Sequence, residues 1–299
     1  MTDIEQPIFI VALPKSYTSV FSGMLGQHPG IMSVPELNVF VGDTVLDWAT
    51  QPMAAIFCDG LIRTVAQLIF GAQTFQTAQS ALAWLEARAD WTVKQLFDAL
   101  REAAAPAALL DQSPIYMQKP AFLRRILNNY PKARFIHLAR NPVTWANSME
   151  KWGVIGEQFM KMFAQSEVGL NRDLEHLELW HAAYSGIEHL FAELEPHQYT
   201  RVYGEDVVTR PREMLGEVLD WLNLPNDAMV VEEMMHPENS VFAQWGPPNA
   251  RGGNNPDFLS APQLRTRNDR EKLMKMDLTK GPIDPEVLDY ATRIGYVAA

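Results

Sequence analysis

Residues Ile8 to Leu13 read IFIVAL, a short unbroken apolar run that ends at Pro14 and leads directly into Lys15-Ser16-Tyr17-Thr18-Ser19. A run so short and so apolar is the pattern of a strand buried on both faces, as in a parallel sheet. From Thr18 to Gln27 the spacing turns helical, with Val20, Met24 and Leu25 able to share a face, and His28-Pro29-Gly30 stops it. The unit is strand, tight loop, helix. Comparable apolar runs recur at Ala107 to Leu110, at Arg134 to Ala139 (RFIHLA) and at Tyr199 to Tyr203 (YTRVY). Helical patterns cover Val93 to Ala104, Phe122 to Asn129, Val143 to Lys151, Asp173 to Leu194 and Arg212 to Leu222. Strands alternating with helices predict an α/β fold with a central, mostly parallel sheet flanked by helices. Nothing repeats internally, and one domain over residues 1–299 is expected. The stretch Pro237 to Pro262 is rich in Pro, Gly and Asn and is too long for a simple connection, so it is read as a lid or a disordered loop.

Composition narrows the function classes. At 47% hydrophobic and 20% charged residues the chain has material for an ordinary core. The single cysteine, Cys58, excludes a disulfide framework and a cysteine-rich metal site, and is read as packed in a protein of a reducing compartment. The start, MTDIEQP, has no apolar run, and no later stretch approaches the roughly 18 apolar residues of a membrane span, so the expected location is cytoplasmic, with no membrane partner. A net charge of −11 argues against a nucleic-acid partner, which needs a broad basic field. A small anionic ligand needs only a few local cations and backbone N–H groups.

The segment Pro14 to Ser19 offers such groups. It lies where a buried strand meets a helix start, so unpaired N–H groups and the helix dipole favour a phosphate. Thr18 and Ser19 add hydroxyls and Lys15 a movable charge. It lacks the G-x-x-x-x-G-K-[ST] pattern of nucleoside triphosphate enzymes. Alone, the segment reads equally well as Ser and Thr capping a helix. A second candidate anion site follows RFIHLA in Arg140-Asn141-Pro142-Val143-Thr144-Trp145-Ala146-Asn147-Ser148. Arg140 ends the strand, and Ser148 lies two turns into the next helix. The two converge on one anion if that helix packs back over the strand end, and otherwise are a surface Arg and a helix Ser.

Taken together, these segments resemble the nucleotide-dependent sulfotransferase family. Its 5′-phosphosulfate loop commonly reads P-[KR]-S-G-[ST]-[ST], matched here by PKSYTS with Tyr17 in place of the glycine. Its 3′-phosphate motif, R-[ND]-P with a serine eight residues after the arginine, is matched by RNPVTWANS. RVYGED (Arg201 to Asp206) is similar to the family's Y-E-D, and Pro211 to Pro225 also matches, so the resemblance covers most of the chain in order. It implies a P-loop-like fold, 3′-phosphoadenosine 5′-phosphosulfate (PAPS) as donor, adenosine 3′,5′-bisphosphate (PAP) as product, and no metal. The residues it assigns to the nucleotide are Lys15, Ser16, Tyr17, Thr18, Ser19, Arg140, Ser148 and Tyr203, with Arg251-Gly252-Gly253 as the counterpart of an Arg-x-Gly loop over the 3′-phosphate.

The cytosolic branch of that family carries a catalytic histidine upstream of the 3′-phosphate strand. Here that stretch is Asp111-Gln112-Ser113-Pro114, more similar to the D-K-[ST]-P segment of bacterial, Golgi-type and polyketide-synthase-associated members, with Gln112 replacing the lysine. Another base is then required. Glu36 stands 21 residues after Lys15, a spacing close to that of the catalytic glutamate in tyrosyl-protein members, and His28 to Pro35 is read as a short turn that brings it back past the loop. Lys15 and Glu36 are thus the expected catalytic pair, with Asp111 in reserve. Glu36 also reads as a helix cap or the partner of a nearby cation.

The acceptor side is expected in helical elements around 40–105 and 151–195, where Phe40, Phe57, Phe70, Phe159, Met160, Met162 and Phe163 suit an irregular apolar cavity or simple packing. The segment His28 to Leu37 resembles the polyketide-synthase-associated branch, which implies a small or carrier-bound hydroxyl acceptor, apolar or acyl before phenol or sugar. His176, His181 and His189 lack a ligand spacing and are taken as structural, and Trp180 and Tyr184 as core. The competing readings are a small-molecule kinase, which shares the strand-loop-helix architecture, and a non-catalytic nucleotide-binding protein of the same fold.

Overall fold

Side chains alternate along β1 (Ile8–Val11) between two apolar layers, and that alternation organises the molecule. Phe9 and Val11 face one layer, Ile8 and Ile10 the other. The computed structural model describes residues 6–51, 57–164, 175–280 and 282–299. In it β1 is the centre of a five-stranded sheet with β2 (Ile31–Val34), β3 (Ala108–Asp111), β4 (Arg134–Ala139) and β5 (Tyr199–Tyr203) in the order β2-β3-β1-β4-β5. Every pairing is parallel, with Ile8 opposite Arg134, Val34 opposite Asp111 and Ala139 opposite Tyr203. Helices cover both faces. On one, Phe9 stacks between Phe97 and Phe135 at 5.6 Å from each and meets Phe40 edge-on at 5.7 Å. On the other, helices Thr18–Leu25 and Pro211–Leu222 bury Phe21, Met24, Leu25, Met214, Leu215 and Val218 against Ile8, Ile10 and Leu138.

The chain's tertiary contacts correct one expectation and add detail to two others. The span from His28 to Pro35 is not a mere turn, since Ile31–Val34 pairs along β3 as an edge strand too short to announce itself by alternation. The region of residues 40–105 contains helices Val45–Thr50, Asp59–Phe70, Phe75–Glu86 and Val93–Ala104, of which only the last was legible as an individual helix. The stretch Pro237 to Pro262 contains a helical turn, Pro237–Asn239, and a short helix, Pro256–Ser260, and is pinned to the body. Buried Arg63 donates to the carbonyls of Gln244 (2.8 Å) and Gly252 (2.7 Å), and Asp59 accepts from the Gly252 N–H at 2.7 Å. The predicted helix from Asp173 to Leu194 is described over His176–Phe191, its expected start lying outside the described residues.

Tyr17, which stands where the resembled loop has glycine, is housed by a glycine directly after β5. Lys15 and Tyr17 take left-handed φ angles of 64° and 67°, a conformation that costs a non-glycine residue roughly 1–2 kcal/mol. The Tyr17 ring lies over Gly204, where an added Cβ would meet Tyr17 Cδ2 at 2.6 Å. The bulk at Tyr17 is accommodated by its absence at Gly204. Gly204→Ala is therefore expected to destabilise the protein by about 1–3 kcal/mol, and by measurably less in a Tyr17→Gly background. Equal penalties in the two backgrounds, by denaturant titration, would contradict the pairing.

Candidate functional site

In an open parallel sheet, ligands bind beyond the carboxyl ends of the strands. Every predicted site segment but one begins there: Glu36 follows β2, Asp111 ends β3 with Gln112 directly after it, Lys15 follows β1 and Arg140 follows β4. Arg251, in the stretch after Pro237, is the exception.

The loop after β1 is shaped by its neighbours. The Arg140 guanidinium donates to the carbonyl of Lys15 and covers the Tyr17 ring at 4.8 Å. Trp145 donates its indole N–H to the carbonyl of Pro14 at 2.9 Å. Arg140 is itself fixed through its peptide: its N–H donates to the Tyr184 hydroxyl (3.0 Å) and its carbonyl accepts from the Trp180 indole (2.9 Å). Trp180 and Tyr184 are both fully buried, as core residues would be, and they also position the arginine. No side chain among the described residues caps helix Thr18–Leu25, so its first-turn N–H groups stay available to an anion.

These elements open onto a cleft of about 430 Å³ lined by Lys15, Tyr17, Thr18, Ser19, Arg140 and Ser148. Helix Pro142–Glu150 does fold back over the strand end, held by Asn141, whose side chain accepts from the N–H groups of Val143 and Thr144. Ser16 lies buried beneath the loop. Arg265 and Arg267 line the same cleft, while Arg251 does not: it lies over the Trp245 ring at 4.8 Å. Tyr203 is spent elsewhere, donating its hydroxyl to the Ile294 carbonyl at 2.5 Å. The two new arginines carry no motif legible in the sequence. They are placed by tertiary contacts, with the Arg267 N–H bonded to the Val208 carbonyl and buried Asp206 held by Arg270 at 2.5 Å.

The run from Gly253 to Asp257 crosses this edge of the sheet and touches one site segment after another. Gly253 O accepts from the Glu36 N–H at 2.9 Å, and Asn254 Oδ1 accepts from Gln112 Nε2 at 2.9 Å. The Asn255 N–H donates to Ser19 Oγ at 3.1 Å, and the Asp257 carboxylate holds the Lys15 ammonium at 2.6 Å. Lys15 also lies 5.4 Å from the Trp152 ring, a residue the sequence did not single out.

The carboxylates at the other end of the site differ in how they are engaged. Asp111 is fully buried and accepts from the hydroxyls of Ser113 (2.6 Å) and Tyr116 (2.8 Å); burial pushes it up to about 6 against those bonds. Glu36 is half-buried, and no hydrogen bond or ion pair reaches its carboxyl from the described residues. Burial, with the Asp111 charge adding to it, pushes Glu36 up to about 8. The described residues contain no group of three His, Cys, Asp or Glu that could hold a metal ion. His181 lies edge-on to Tyr290 and His189 bonds the Ser185 carbonyl. None of the helices among the described residues is long and apolar enough to cross a membrane.

Two solved structures superpose over nearly the full chain. One is the sulfotransferase domain from the curacin biosynthetic pathway, with a TM-score of 0.80 and 22% identity over 98% of this chain and 99% of that one. The other is the sulfotransferase domain from the Synechococcus PCC 7002 olefin synthase, with a TM-score of 0.76 and 20% identity over 98% and 97%. No curated protein matches the chain. At these identities the structures establish the shared fold. A model of the sulfotransferase family matches residues 7–228, most of the chain's 299 residues, and the chain belongs to that family.

Proposed function

We propose that the protein transfers a sulfuryl group from PAPS to a hydroxyl of a small or carrier-bound acceptor with an apolar body. The observation that carries this reading is the cleft itself: in a chain of net charge −11, Lys15, Arg140, Arg265 and Arg267 line one space beside an uncapped helix start. That composition fits a ligand with two separated anionic groups, the 5′-phosphosulfate on the loop and the 3′-phosphate beside Arg140 and Ser148. Arg265 and Arg267 take the place first expected for Arg251. The donor competes with Asp257 for the Lys15 ammonium, and Asp257, 82% exposed, can turn to water at small cost.

In the transfer, Glu36 accepts the proton of the acceptor hydroxyl as the oxygen–sulfur bond forms. The bond from sulfur to the bridging oxygen breaks, its electron pair stays on that oxygen, and Lys15 neutralises the charge that develops there. The products are the sulfate ester, PAP and a proton on Glu36. Glu36 suits this task better than Asp111, whose oxygens already serve Ser113 and Tyr116.

Ser148→Ala, which leaves the bond from Arg140 to the loop intact, is expected to weaken PAP binding by at least about tenfold while adenosine 5′-phosphate changes far less, because a hydrogen bond to a charged phosphate is worth roughly 1.5–3 kcal/mol. Calorimetry showing equal losses for both ligands would remove the 3′-phosphate assignment.

The pH dependence has a definite sign. Glu36 works as a base only when ionised, so kcat should climb with pH and level off above about 8. Glu36→Gln should flatten the profile and lower kcat about a hundredfold. Because the folded group holds its proton more tightly than its ordinary 4.5, its stability contribution is present below pH 4.5 and lost as pH rises through 8. The melting temperature of the wild type should therefore fall relative to Glu36→Gln across that window. A variant that turns over normally, with Asp111→Asn inactive, would move the base to Asp111.

A further inference from the structure

Helix Pro285–Arg293 starts on Asp284, whose side chain accepts from the Glu286 N–H at 2.8 Å, and it buries Val287, Tyr290 and Ala291. Its other face turns Glu286, Asp289 and Arg293 outward. It packs on helix His176–Phe191, with the Tyr290 ring edge-on to Trp180 at 5.6 Å and to His181 at 5.1 Å. Along that second helix, up to its C-cap, His181, Ser185, Glu188 and Ala192 recur at spacings of four, three and four residues and so form one stripe. The stripe runs for about 16 Å. Between it and Glu286, Asp289 and Tyr290 lies a groove of about 770 Å³, which shares no lining residue with the cleft of Lys15 and Arg140.

Tyr290 is only 3% exposed, yet its hydroxyl has no hydrogen-bond partner within bonding distance among the described residues. Both oxygens of the nearby Glu188 are taken, by Arg201 at 2.5 Å and Arg293 at 3.2 Å. Burial, and after it the Glu188 charge, holds this phenol above its ordinary 10, so it stays a neutral O–H. A buried hydroxyl left unpaired costs free energy that a bond to a ligand recovers. Glu286 and Asp289 have no ion-pair partner among the described residues, and they are neighbours on one helix face. Their charges oppose an anion. A metal ion is disfavoured as well, since the described residues contain no group of three His, Cys, Asp or Glu that could hold one. A compact cation would leave most of an elongated groove unfilled, whereas ammonium groups joined by short alkyl linkers match both its length and its spaced carboxylates.

We propose that this groove binds a linear aliphatic polyamine, with Glu286 and Asp289 pairing its ammonium groups and the Tyr290 hydroxyl oxygen accepting a hydrogen bond from an ammonium N–H. Arg293, which lies over the Tyr290 ring at 4.9 Å, is 62% exposed and can turn to water to admit the ligand. The site is separate from the donor cleft, and the proposal does not rest on the sulfuryl-transfer reading.

The test is calorimetric titration of the full chain with spermidine, with butylamine and magnesium chloride as controls at fixed ionic strength. Saturable spermidine binding is expected, with butylamine at least about tenfold weaker. Tyr290→Phe, which removes one oxygen and no charge, should weaken spermidine about tenfold, the loss expected for a hydrogen bond to a charged group. Asp289→Asn, an exposed change, should weaken it about threefold or more. Without ligand, Tyr290→Phe should melt no lower than the wild type, because it deletes an unpaired buried group, and spermidine should raise the melting temperature of the wild type more than that of the variant. Absence of saturable spermidine binding, or equal affinity in wild type and Tyr290→Phe, would overturn the proposal. So would magnesium binding as tightly as spermidine, the mark of mere attraction to a chain of net charge −11. Tyr290→Phe melting well below the wild type would show the hydroxyl to be already partnered and overturn it too, and full affinity in Asp289→Asn does so whether or not Tyr290→Phe folds.

Discussion

The bond from the Arg140 guanidinium to the Lys15 carbonyl ties together the ends of two adjacent central strands, and the site depends on it. Lys15 and Tyr17 both sit in left-handed backbone, which the local sequence does not favour. The loop is held there from outside, by Arg140 below its carbonyl and over its aromatic ring, by Trp145 at Pro14 and by the space above Gly204. The buried pair Trp180 and Tyr184 then fixes Arg140 through its peptide, leaving its charge to the cleft. The shape of the loop after β1 and the charge beside it are thus one structure, built across β1 and β4.

A second constraint comes from the opposite side. The run from Gly252 to Asp257 is held at one end by Arg63 and Asp59 and at the other by Lys15, and between them it bonds Glu36, Gln112 and Ser19. It fixes the spacing between the proposed base and the phosphate loop although it belongs to neither. Arg63 is fully buried, and burial pulls its guanidinium down to about 10 despite the nearby Asp59. A charge buried this deeply persists because its N–H groups are taken up by Gln73 and the two loop carbonyls.

Much of this was legible in the sequence, for physical reasons. Three of the five strands, β1, β3 and β4, are apolar runs between turn residues, and burial on both faces leaves that signature. Lys15 and Arg140 could be placed at the ends of β1 and β4 because strand ends and helix starts are set by local chemistry. Strand β2 escaped because four residues at a sheet edge carry too little pattern, and Arg265 and Arg267 because contacts distant in sequence, such as the Arg267 N–H to the Val208 carbonyl, bring them to the cleft. Tyr203 was expected at the nucleotide but is drawn to Ile294 by the C-terminal segment. A composition rich in Pro, Gly and Asn marked residues 237–262 as a lid or a disordered loop. It said nothing of the buried arginine that pins them.

The central claim is that the edge of the sheet after β1 and β4 recognises an adenosine carrying separate 5′ and 3′ anions. It can be tested on the unmodified chain by calorimetric titration with PAP and, separately, with ATP in the presence of magnesium. Saturable binding of PAP with no measurable binding of ATP is the result expected from two anion sites and a loop without the triphosphate pattern. Binding of ATP in preference to PAP would contradict the account and point to phosphoryl transfer instead.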